Sequence, residues 1–216
     1  MVPYIDPLWL CWNNFVYLLL APWLWYISTL REDIDIVDWS WEVITPISLT
    51  LASLFNHMCT SPDVLICVAG QPQNTLFLLD LYWALTLMCA VVSIQMPERS
   101  RLVWFPVMRF ISMVLVVLLP DGTVATITIF SLVVITYFYY RITPLILHPE
   151  KHWSAVLGLA VFGVAIFFKQ DLGNYPLDTP DDIAAYSFWH GWWHILSALG
   201  AALIIWDSRH APNYYA

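Results

Sequence analysis

The residues able to do chemistry in this chain are few, and they lie inside apolar runs. One run ends Ser53-Leu54-Phe55-Asn56-His57. Another holds Asp80 within Leu78-Leu79-Asp80-Leu81, and a third reads His190-Gly191-Trp192-Trp193-His194. Residues four apart on a helix point from one face, a turn apart, so His190 and His194 can both reach one metal ion. The same spacing suits two histidines that only join helices through hydrogen bonds. With His57 the set becomes three neutral imidazoles, the donors of a tetrahedral zinc site whose fourth position is open to water. Thiolate ligation is not suggested, because Cys11 and Cys89 are separated from these residues in sequence. Asp80 can take a proton from water as a general base, or it can orient a ligand imidazole. Ser53 can donate to the oxyanion of an attacked carbonyl, or it can bond back to the carbonyl four residues earlier.

The elements that must carry these residues are membrane helices. The chain has 216 residues, 60% hydrophobic and 11% charged, with a mean hydropathy of +0.69. Soluble domains carry about 25% charged residues, so an ordinary soluble enzyme is excluded, as are disorder and coiled coil. Thirteen Trp, eleven Tyr and eleven Phe suit a protein with two membrane–water interfaces. A net charge of −8 argues against nucleic acid as a partner. Spans of about 20 apolar residues are predicted at 7–30, 36–58, 73–95, 101–119, 122–141, 152–170 and 183–206. The expected fold is therefore all-α, a single multi-pass domain over 1–216 with seven transmembrane helices. Pro120-Asp121-Gly122 is read as the tight turn that divides the fourth span from the fifth. No basic stretch precedes the first apolar run, so no cleaved signal peptide is expected.

Lys and Arg set the orientation. Arg31, Arg99, Arg101, Arg141, Lys151 and Arg209 fall on one side and Lys169 on the other. This places the C-terminus in the cytoplasm and the N-terminus outside or in a lumen. His57 then sits near the lumenal end of the second helix, Asp80 about two turns into the third, and His190 and His194 two to three turns into the seventh. At ~1.5 Å per residue they share a layer roughly 10 Å thick, and Ser53 joins it. Cys59 and Cys67 fall in a lumenal loop and are expected to form a disulfide, while Cys11 and Cys89 stay reduced. Arg109 lies inside the fourth helix, where it can hold an anionic head group, pair with an acid, or snorkel along Trp104 and Phe105. Asp33, Asp35, Asp38 and Glu42 read as a solvated acidic loop, and Asp171 to Asp182 as a second loop before the last helix. His148, His152 and His210 fall at helix ends away from the metal.

Ser-x3-His in the second helix, Asp in the third and His-x3-His in the seventh resemble the signature of the CREST superfamily. Its members are seven-helix membrane hydrolases and their relatives, among them alkaline ceramidases and progestin/adiponectin receptors. The resemblance covers the whole chain in helix order. The stretch from His190 to Gly200 is similar to the last helix of ceramidases. The 23-residue interval from His57 to Asp80 is more similar to the transmembrane-protein-8 and myomaker family. The resemblance implies Zn2+ on His57, His190 and His194, Asp80 as base, and a membrane lipid substrate cleaved at an amide or ester within the lipid bilayer. A second class fits the same residues. It is a non-catalytic membrane-remodelling protein, receptor or subunit of a larger membrane assembly that keeps zinc as a structural staple. Asp80 and Ser53 favour the hydrolase, because a structural zinc needs neither.

Overall fold

An apolar segment offers its backbone few side-chain partners, and a helix satisfies every internal N–H and C=O within the segment. The computed structural model describes residues 9–30, 40–60, 73–119, 122–169 and 179–210, and among them all regular structure is helical. The helices are α1 (Trp9–Trp12), α2 (Phe15–Leu18), α3 (Leu20–Thr29), α4 (Ser40–Thr60) and α5 (Gln73–Ser93). They continue with α6 (Glu98–Leu118), α7 (Thr123–Leu147), α8 (Trp153–Phe167) and α9 (Pro180–Asp207), and a 3-10 turn follows at Ser208–His210.

Four helical stretches are long and apolar enough to cross a membrane: Thr75–Ser93, Glu98–Leu118, Thr123–Leu147 and Ala184–Asp207. Phe15–Thr29 and Trp153–Phe167 are apolar but shorter. The second expected span, α4, has 21 residues yet is too polar to join the four. It buries Glu42, Thr45, Thr50, Ser53, Asn56 and His57.

The expected first span is not one helix. Asn13 Nδ2 donates to the Trp9 carbonyl at 2.8 Å and Asn14 Nδ2 reaches the Cys11 carbonyl at 3.4 Å. Side chains that bond to nearby carbonyls compete with the helical ladder. The chain turns at Asn13 and Asn14 before α2 resumes.

α5 runs through the core. Leu85, Cys89 and Ala90, with Ile94 just after the helix, are fully or almost fully buried, in one cluster with Leu24 and Ile27 of α3, Phe105 of α6, Ile129 of α7 and Ile205 of α9. α6 and α7 separate at Gly122, whose φ of 69° is the left-handed conformation that favours glycine. α8 lies directly on α9, because Gly158 and Gly200 face each other. A Cβ at Gly158 would come within 2.9 Å of the Gly200 carbonyl, and one at Gly200 within 3.0 Å of the Gly158 carbonyl. Small residues at such a crossing let two backbones approach. α9 begins three residues earlier than expected. Thr179 caps it by accepting from the Asp182 N–H at 3.2 Å, with Pro180 in the first turn.

Two buried polar clusters tie helix ends together. Arg101 donates to Glu42 at 3.1 Å, and Ser93 adds a 3.4 Å contact to the same carboxylate. Glu42 is thus not part of a solvated acidic loop: it lies in α4, buried against α6. Its helix continues through that position, and the Arg101 guanidinium supplies the countercharge that burial requires. In the second cluster Asp207 of α9 accepts from Arg141 of α7, and His152 and Ser154 at the start of α8 lie 3.1 and 3.4 Å from the same carboxylate. Cys11 and Cys89 are buried and in no disulfide. The expected Cys59–Cys67 disulfide lies outside the described residues, because neither Cys67 nor the Cys59 side chain is among them. The same holds for Asp33, Asp35, Asp38 and most of the segment from Asp171 to Asp182.

Candidate metal centre

α4 brings His57 to the site, and α9 brings His190 and His194. Each histidine offers one ring nitrogen such that the three atoms lie within 4.8 Å of one another. Ring centroids are 5.2 Å apart for His57 and His190, 5.3 Å for His57 and His194, and 4.7 Å for His190 and His194. The last pair meets because the residues are one turn apart on a continuous helix. His57 and His194 are buried, and His190 is half-buried.

The donor set fits a metal ion. Three imidazoles suit zinc and the other late first-row ions. One of the ligands also has an outer partner, since Nδ1 of His194 bonds Oδ1 of Asn13. An amide oxygen can only accept, so Nδ1 carries the proton and Nε2 is left with its lone pair for a metal. Asn13 reaches His194 by passing over Gly191. A Cβ there would stand 2.4 Å from Asn13 Nδ2 and 2.3 Å from Trp9 Nε1. The glycine between the histidines is therefore where α1 crosses α9.

Sequence reasoning missed Asn13 and the purpose of Gly191. Asn13-Asn14 was the available signal, a pair of amides in an otherwise apolar run. Tyr17 was missed too: its hydroxyl shares a 2.8 Å hydrogen bond with Ser197, and its ring packs edge-on to His194 at 5.6 Å. Tyr186 lies 4.9 Å from the His190 ring.

Asp80 is not in the set of three close donors. Asn56, the residue before His57, donates to Asp80 Oδ2 at 3.0 Å. Asn56 thus links the Asp80 carboxylate of α5 to the turn of α4 that carries His57. Ser53, one turn before His57 on α4, is buried. Lys169, just past the end of α8, lies 5.0 Å from the Trp193 ring. His148 and His152 sit at the other end of α8, as expected.

No family model and no curated protein matches the chain.

Proposed function

We propose that the chain is a seven-span membrane protein that acts as a zinc-dependent lipid hydrolase, cleaving an amide or ester bond of a membrane lipid. The observation that carries this reading is the pairing of a three-imidazole cluster with a separate carboxylate, Asp80, held in place by Asn56. A metal used only as a staple has no need of that second arrangement. The resemblance to CREST hydrolases supports the same reading. Under it, α1 to α3 form the first span, α4 the second and α8 the sixth. The N-terminus is lumenal or extracellular and the C-terminus cytoplasmic, as the positions of Lys and Arg favour.

His57, His190 and His194 would hold the ion. Once bound, zinc supplies Lewis acidity and makes water nucleophilic at neutral pH. Asp80 accepts the proton of the attacking water on its carboxylate and returns it to the leaving amine or alkoxide. Asn56 keeps Oδ2 in a fixed position by donating to it. Ser53 has one O–H. That hydrogen can be donated to the substrate oxyanion. Asn13 holds the His194 ring in the tautomer that leaves Nε2 unprotonated.

The test is metal analysis of the purified chain, followed by turnover of a mixed lipid extract by wild type and Asp80→Asn. The expected result is about one zinc per chain in both proteins, with a lipid consumed only by the wild type. Equal consumption by both proteins, or a metal-free chain, overturns the proposal.

A further inference from the structure

We infer that Arg109, Trp41 and Tyr82 form a binding site for the phosphate of an anionic lipid head group, away from the histidine cluster. Arg109 lies midway along α6, and helical side chains lean toward the helix N-terminus. Its guanidinium accordingly reaches back past Phe105, one turn earlier, whose ring centroid is 5.8 Å from Cζ. The group comes to rest on the Trp41 ring at 4.6 Å, with Trp83 at 5.8 Å and the Tyr82 hydroxyl 3.4 Å from Nη2.

Trp41 is in the first turn of α4, next to Glu42, and is 56% exposed. The guanidinium thus bridges the first turn of α4, through Trp41, and the middle of α5, through Tyr82 and Trp83. Among the described residues no carboxylate lies within 4.0 Å of it. Glu42 is already engaged by Arg101.

Aromatic faces stabilise a guanidinium but do not neutralise it. A planar fork with a tyrosine hydroxyl beside it and a buried Nε that has no hydrogen-bond partner matches the donor pattern that phosphate oxygens take. Basic pockets between membrane helices bind anionic head groups in this way. A merely snorkelling arginine has no need of the stacked tryptophan or the tyrosine.

The test uses the full chain purified in detergent, with bound lipid counted by native mass spectrometry. The probes are dioleoyl phosphatidic acid, dioleoylglycerol with the same acyl chains, and inorganic phosphate. Wild type is expected to retain phosphatidic acid over dioleoylglycerol. Arg109→Gln should lower that retention about tenfold, the scale of one charge-assisted hydrogen bond. Arg109→Lys and Trp41→Ala should each fall between, and both remain informative if Arg109→Gln does not fold. Arg99→Gln, an exposed cation on the same helix, should match wild type. Equal retention of the two lipids, or retention unchanged in all three site variants, overturns the proposal. Binding of inorganic phosphate as tight as that of the lipid overturns the assignment to a head group.

Discussion

The amide of Asn13 and the imidazole of His194 are joined by a hydrogen bond that crosses the bundle from its first helical segment to its last. Oriented imidazoles bind metal better than free ones, and loss of such an outer partner typically costs 10–100-fold in affinity. Asn13→Ala should therefore keep the fold and bind zinc roughly 10- to 100-fold more weakly. Competition with a chromogenic chelator reads this directly. Wild-type affinity in Asn13→Ala would mean that the bond does not set the ring.

Gly191 makes that bond sterically available. In Gly191→Ala the new methyl meets Asn13 Nδ2 and Trp9 Nε1, both well inside contact distance. Overpacking of this kind costs about 1–3 kcal/mol. Thermal unfolding of the detergent-solubilised protein should show the loss, and zinc affinity should fall with it, because Asn13 is displaced. An unchanged melting temperature would show that α1 yields without cost.

Removing a donor differs from removing the base. His194→Ala leaves two imidazoles and should lose bound metal along with stability. Asp80→Asn keeps the shape and should retain metal while hydrolysis drops roughly 10²-fold or more. Ser53→Ala should keep metal and lower turnover less than Asp80→Asn does. Metal content and turnover measured on the same preparations separate the three. Metal retained by His194→Ala would remove that residue from the ligand set.

The Glu42–Arg101 pair tests a structural contact. Removing one partner of a buried pair leaves a charge uncompensated and typically costs 3–5 kcal/mol. Arg101→Met should therefore lower thermal stability sharply, and Glu42→Leu combined with Arg101→Met should recover most of the loss. A double variant as unstable as the single one would show that the arginine contributes beyond its partner.

The residues show which parts of this arrangement sequence could convey. His57, His190 and His194 were legible because period and depth alone place them in one layer, and hydrophobic length locates depth well. Asp80 falls in the same layer by the same count, and the structure joins it to Asn56, the neighbour of His57. Asn13 was not legible, because its position depends on a break in the first helix that apolar length conceals. Glu42 was misread: beside Asp33, Asp35 and Asp38 it looks like part of a solvated acidic run, and only the packing of α6 shows Arg101 waiting for it. Asn56 was given no role, though it donates to Asp80, since spacing along one helix says nothing of a hydrogen bond to the next.

The placement of two imidazoles on α9 has a consequence in time. During synthesis, the segments carrying Asn13, His57 and Asp80 emerge well before His190 and His194. Until the last helix is made, one donor of three exists, and His194 cannot yet anchor Asn13. Contacts so distant along the chain form only after the intervening segments have been brought together. Under the proposed function, metal capture is therefore a late event of assembly, and a nascent chain lacking its final helix carries no complete set of the three imidazoles.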